Sequence, residues 1–207
     1  MRGAKNGAAG APHLVAALTH GSGLVVRQVR VDAKTDEIPA ARDLLGLFDL
    51  GGMVVTLDAM HTQTKTAEFI TDRGADYVFM AKDNQPTLKA QLAALAWRDV
   101  PGRSHTDRGH GRTVTRTVKA LAAPAWIEFP GRCQVLQIRR TRTVKGKRGV
   151  EAVCPIRSAP MERSDLMTVA EWIQGHWGIE TRLHHVRCGT SPTTRTAPRS
   201  EPGTRRP

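Results

Sequence analysis

The stretch from Gly51 to Trp97 restricts the fold more than any other part of the chain. Gly51-Gly52 is followed by a β-branched apolar run, Met53-Val54-Val55-Thr56-Leu57, which ends directly at Asp58. A helical pattern then runs from about Thr62 to Arg73 and stops at Gly74. A second apolar strand covers Asp76–Ala81, and a helical pattern from about Gln85 to Trp97 sets Leu88, Leu92 and Leu95 on one face. Strand, helix, strand, helix in that order implies parallel pairing with right-handed crossovers, hence an α/β sheet.

The flanking segments follow other periods. His13–Thr19 and Gly23–Asp32 read as a hairpin joined across His20-Gly21-Ser22, with the alternation of a half-buried strand in its second arm. Pro39, then Leu44, Leu45, Leu47 and Phe48, predicts a short helix ended by Gly51-Gly52. From Gly102 to Ser158 the period is two, clearest in Thr113–Val118, Val135–Ile138 and Val150–Val153. Ser164 to about Val186 returns to a helical pattern, whereas Thr190–Pro207 has almost nothing to bury and reads as a disordered tail.

Charge narrows the class of partner. The 207 residues carry 31 Lys and Arg against 19 Asp and Glu, a net charge of +12, which points to a polyanion and most often to nucleic acid. Residues 132–207 hold 15 cations and 6 acids, so the excess lies mainly in the second part. No apolar run approaches the roughly 18–20 residues of a membrane helix, so a cytoplasmic, nucleoid-associated protein without membrane contact is expected. Three scattered cysteines in no CxxC pair exclude a disulfide framework and a zinc knuckle.

Asp58 stands where open α/β sheets collect ligands, at the carboxyl end of a buried strand. A strand-end turn or a cap for the next element is the competing reading. Lys82, Asn84 and Gln85 follow the next strand and share that sheet edge, where they suit phosphate, base or sugar contacts; Asn84 could equally cap the following helix. Arg139, Arg140, Arg142, Lys145, Lys147 and Arg148 form an acid-free run on a hairpin turning at Gly146. Such a run can grip DNA phosphates or remain a solvated loop.

In order and spacing, VVTLDAMHTQ, DYVFMAKDNQPTL, DRGHGR and HWGIETRLHH resemble the DDE transposases of bacterial insertion sequences, specifically the ISAs branch of the IS-four superfamily. The resemblance covers nearly all of residues 1–187. It implies a ribonuclease-H-like mixed sheet flanked by helices, with a β-rich insertion before the last catalytic helix. The corresponding division is residues 1–101 for the first part of the core, 102–160 for the insertion, 161–189 for the helix and 190–207 for the tail. It also implies three carboxylates holding two Mg²⁺ ions for strand cleavage and transfer at transposon ends and target DNA. Asp58 would be the second carboxylate and Glu180 the third, with Arg182 and Arg187 presenting cations to DNA beside Glu180. His176 stands where the wider superfamily often has Arg.

Two departures alter that expectation. Relatives carry the first Asp in a motif like DGKxxRGA, and Met1-Arg2-Gly3-Ala4 begins inside it; Asp32 and Asp36, after the hairpin, are poor substitutes. The residues Thr190–Pro207 back-translate so that the neighbouring frame reads DVTYDEDRSQVRTGNAPA, a segment of the kind relatives carry there. The expectation is therefore an incomplete core, truncated at the N-terminus and frameshifted near the C-terminus, that is a catalytically inactive remnant. A non-catalytic DNA-binding protein that dimerises with itself or inhibits an intact transposase is the alternative. An unrelated nucleic-acid-binding protein fits less well, since aromatic residues make up 4% and leave little for base stacking.

Overall fold

The computed structural model describes residues 13–31, 37–109 and 111–176. The expected hairpin forms from β1 (His13–Leu18) and β2 (Val25–Val31), paired antiparallel with a register shift at Ala17/Leu18. Among the described residues it is a separate two-stranded sheet. Consequently the half-buried alternation expected of its second arm is not realised: Val25 and Val26 are both exposed, and burial is reached only at Val31. Helix α1 (Glu37–Leu45) packs across both hairpin strands and buries Ala41, Leu44 and Leu45.

Among the described residues the main sheet has seven strands. It runs β3 (Val54–Thr56), β4 (Asp76–Met80), β9 (Pro155–Arg157), β7 (Gln134–Val144), β6 (Arg112–Ala122) and β5 (Gly102–Gly109), with β8 (Lys147–Val153) also on β7. Among the described residues only β3 and β4 pair in parallel, joined by α2 (Thr64–Thr71) as the strand–helix–strand order requires. All other pairs are antiparallel, so the β-rich stretch continues the same sheet through β9. Strand β5 has no apolar residue and every residue exposed, so hydrophobic periodicity gave no sign of it.

Strand β4 is buried at all five positions because helices cover both of its faces. Tyr77 and Phe79 point into a cluster with Ile70, Leu92, Phe129 and Ile156, on the side of α2 and α3 (Pro86–Ala93). Val78 and Met80 meet Val169 and Ile173 of a fourth helix, α4, over residues 166–176. Helix α3 opens with Pro86 at its first position, where a missing N–H costs nothing, and α2 is left behind by Gly74 at φ +68°. The Lys145-Gly146 turn has positive φ at both residues, as a tight hairpin requires.

Gly131 combines φ +67° with a close approach: a Cβ there would lie 2.8 Å from Thr71 Cγ2. Gly131→Ala is expected to destabilise the fold by roughly 1–3 kcal/mol, since strain and overpacking add. Thermal melting checks this, and an unchanged midpoint would contradict it.

Candidate nucleic-acid and metal-binding site

Asp58 follows β3 directly, and its Oδ1 accepts a 2.6 Å hydrogen bond from the Ala59 amide, capping a short 3₁₀ turn at Ala59–His61. The cap reading of this residue is therefore real. It uses one oxygen: Oδ2 has no hydrogen bond among the described residues, and the side chain is 49% exposed. Lys82 Nζ stands 3.7 Å from Oδ1 and is also half-exposed, a solvated pair of small energetic weight.

The parallel β3–β4 pair brings Lys82, Asn84 and Gln85 to the Asp58 edge, as the sequence placed them. Their side chains differ in availability. Asn84 Nδ2 donates to Ala59 O at 2.6 Å and Gln85 Nε2 donates to Thr62 O at 2.9 Å, so both amides brace the turn that carries Asp58. Asn84 does not cap α3, whose N-cap is Gln85 without a side-chain bond. The basic run lies elsewhere, on β7, β8 and their turn. Glu180, Arg182 and Arg187 lie outside the described residues, as do Asp32 and Asp36.

Two histidines meet here across a threonine, a grouping that sequence spacing did not assign. His20 Nε2 is 2.8 Å from Thr56 Oγ1, and that hydroxyl is 3.3 Å from His176 Nδ1 at the end of α4. Gly175 makes the approach possible, because a Cβ at that position would fall 2.7 Å from His20 Nδ1. Hairpin, β3 and α4 thus converge two residues before Asp58. The signal was faint: a histidine at a hairpin turn and a threonine in a strand are ordinary residues until tertiary contacts join them.

A cavity of about 450 Å³ opens between β1 and β3. It is bordered by consecutive residues of each, Val15 to His20 and Met53 to Asp58, so two strand edges rather than two faces look into it. Neither edge has a strand partner among the described residues.

Burial pushes the pKa of His20 below 6.5, and does the same to His61, where nearby Asp58 and Glu37 oppose the shift. The unfolded chain therefore binds protons that the native state refuses. Stability should be full above about pH 6.5 and decline as the pH falls below it. Melting temperatures from about pH 7.5 to about pH 5 should show this drop, and His20→Gln should remove part of it and leave the share of His61; a flat wild-type profile would contradict the assignment.

Mg²⁺ prefers hard oxygen ligands. Among the described residues the carboxylates that follow β3 and β4 at this edge are Asp58 and Asp83, the latter paired with Lys89 at 2.7 Å, and no group of three or more His, Cys, Asp or Glu could hold a metal. The described donor set does not make a Mg²⁺ site on its own. Among these residues, too, no helix is long and apolar enough to cross a membrane.

Comparison with known proteins gives the frame for this edge. The family model described as "Transposase DDE domain" matches residues 2–188. "Putative transposase YncI" of Escherichia coli O157:H7 is 32% identical over 191 residues, covering 86% of this chain and 48% of that protein. "Uncharacterized protein in dhlA 3'region" of Xanthobacter autotrophicus is 33% identical over 168 residues, covering 76% of this chain and 57% of that one. The chain spans about half the length of the curated relatives it matches. Among solved structures, Streptomyces venezuelae DesVI is 15% identical and covers 68% of this chain and 61% of its own; its TM-score of 0.23 is too low to bear on the fold. Transposase DDE domains generally use divalent metal. An α/β chain with a carboxylate at the end of a half-buried parallel strand, matched over residues 2–188, belongs to the transposase DDE domain family.

Proposed function

We propose that this chain is a DNA-binding transposase core of the ISAs branch, ribonuclease-H-like in architecture, with Asp58 and Glu180 as two of its metal carboxylates. The division into a core over residues 1–101, a β-rich insertion over 102–160 and a catalytic helix segment over 161–189 belongs to the same proposal. The observation that carries it is Asp58 itself: a half-exposed carboxylate with one uncommitted oxygen, fixed at the end of β3 beside Lys82. The arrival of α4 at Thr56 supports it, since Glu180 follows His176 by four residues in the sequence. In this reading Asp58 and Glu180 would each give a carboxylate to Mg²⁺, which with a full carboxylate set would supply charge neutralisation and nucleophile activation at a phosphodiester. Lys82, Arg182 and Arg187 meet phosphates, whereas Asn84 and Gln85 hold the Asp58 turn in place and reach DNA only at its margin.

We further propose that these 207 residues bind DNA without cutting it, because the family's first Asp motif has no counterpart among them. Such a protein is cytoplasmic and nucleoid-associated, and pairs with itself or with an intact transposase. The exposed apolar residues Leu24, Val25 and Val26 on the hairpin favour that pairing. The test is duplex DNA binding as a function of salt, alongside nicking in Mg²⁺. Binding with a log–log slope of magnitude about 5 or more, and no nicking, is expected. Absence of binding, or nicking abolished by Asp58→Asn, would overturn the reading.

A further inference from the structure

The four strands β5, β6, β7 and β8 form a projecting sheet whose two faces can be separated by register. Pairing is continuous across it, so residues opposite one another share a face. One face continues the core beneath α4: Val118, Ile138 and Val153 pack with Val169 and Ile173. Farther out it carries Asp107, engaged by His105 and Arg116, and Glu151, engaged by Arg140. Exposed Arg112, Arg142 and Lys147 also lie on it.

The opposite face has another chemistry. At its tip Arg108, Thr113, Thr143 and Arg148 make one row across the four strands, two cations roughly 14 Å apart with two hydroxyls between them. The next row holds Thr106, Thr115, Thr141 and the exposed Val150, and the third holds Ser104, Thr117, Arg139 and Ala152. Hydroxyl contacts of 2.9 Å between Thr106 and Thr115 and 2.8 Å between Ser104 and Thr117 link neighbouring strands. Arg108, Arg139 and Arg148 are exposed and have no carboxylate partner among the described residues. No acid occurs in these rows. None of their residues is buried, although the rows behind them reach Leu121 and Val135 in the main core.

We propose that this hydroxyl and arginine face is the surface on which duplex DNA lies, gripped by its phosphates without base readout. Threonine hydroxyls donate to phosphate oxygens and the three arginines neutralise them, whereas the α4 face would hold two carboxylates against the same anions. This rests on the DNA-binding reading above and divides the basic run found in the sequence: Arg139 and Arg148 face the DNA, Arg140 and Arg142 do not.

Two triple variants of equal charge test it by fluorescence anisotropy with a short duplex: R108A/R139A/R148A and, on the α4 face, R112A/R142A/K147A. The first should bind on the order of 100-fold more weakly at about 0.1 M salt and lower the log–log salt slope by about 2.7, three contacts at 0.9 each. The second should lose several-fold less. T115V/T141V, which keeps the branched shape, should weaken binding roughly 5-fold and leave the slope unchanged. Equal losses in the two triples, or a greater loss in the second, overturn the face assignment while leaving DNA binding intact. No binding by the wild-type chain overturns both readings, and tighter binding to an RNA duplex than to DNA overturns the choice of partner. Matching circular dichroism and melting curves separate these results from misfolding, and the threonine pair gives an independent readout if a triple variant does not fold.

Discussion

Replacing Arg157 by alanine is expected to lower the unfolding free energy by about 3–5 kcal/mol, from stranded acceptors and a cavity together, a large share of the roughly 5–15 kcal/mol typical of a domain. The side chain is fully buried on β9, beneath the start of α4. Its Nε donates to Gln134 Oε1 at 2.6 Å, one terminal nitrogen donates to Ser164 Oγ at 2.6 Å, and longer contacts reach the carbonyls of Pro160 and Ser164. Burial presses its pKa down, while Asp76 raises it. Asp76 is itself held by Ser158 Oγ at 2.8 Å and Arg163 at 2.6 Å. Truncation removes these donors, strands the Gln134 and Ser164 oxygens, and leaves a cavity between β9 and the segment that leads into α4. Arg157→Met should recover part of the loss by filling the volume. A denaturant midpoint almost unchanged in Arg157→Ala would show that the network is dispensable.

The second large effect concerns chemistry. Mg²⁺-dependent cutting by these 207 residues is expected to fall roughly 10⁴–10⁶-fold below that of a relative with three carboxylates, by analogy with losing one member of a catalytic set that acts as a unit. Because such sets are non-additive, Asp58→Asn should then cost little further cutting. Asp58→Asn should nevertheless leave the fold intact, since asparagine retains an oxygen that can accept from the Ala59 amide. Single-turnover nicking of a supercoiled plasmid, compared between the chain and an intact relative, measures both quantities. Robust cutting that Asp58→Asn abolishes would mean that a complete metal set exists.

Several features of the fold can be read without coordinates because they depend on neighbours in sequence. The parallel β3–β4 pair follows from two apolar strands separated by one helical pattern, and the tight turn at Lys145-Gly146 from a glycine between alternating strands. Strand β5 could not be found in this way: Gly102–Gly109 is held by ladder bonds to β6 and by side-chain hydroxyls and charges, which leave no hydrophobic period. Similarly, Asn84 and Gln85 advertise polar contact, yet whether an amide meets DNA or a backbone carbonyl depends on how close the Ala59–Thr62 turn lies.

The amino-acid sequence alone determined the order of elements from the hairpin to α3, the strong positive charge, the transposase resemblance and the candidacy of Asp58 at a strand end. Those are matters of local propensity, summed charge and motif order, all carried by residues close together along the chain. Only the tertiary structure decided that the hairpin stands apart from the main sheet, that His20, Thr56 and His176 meet beside Asp58, and which face each arginine of the β5–β8 sheet occupies. These depend on register and packing between segments far apart in sequence, where a shift of one residue would carry every side chain to the opposite face.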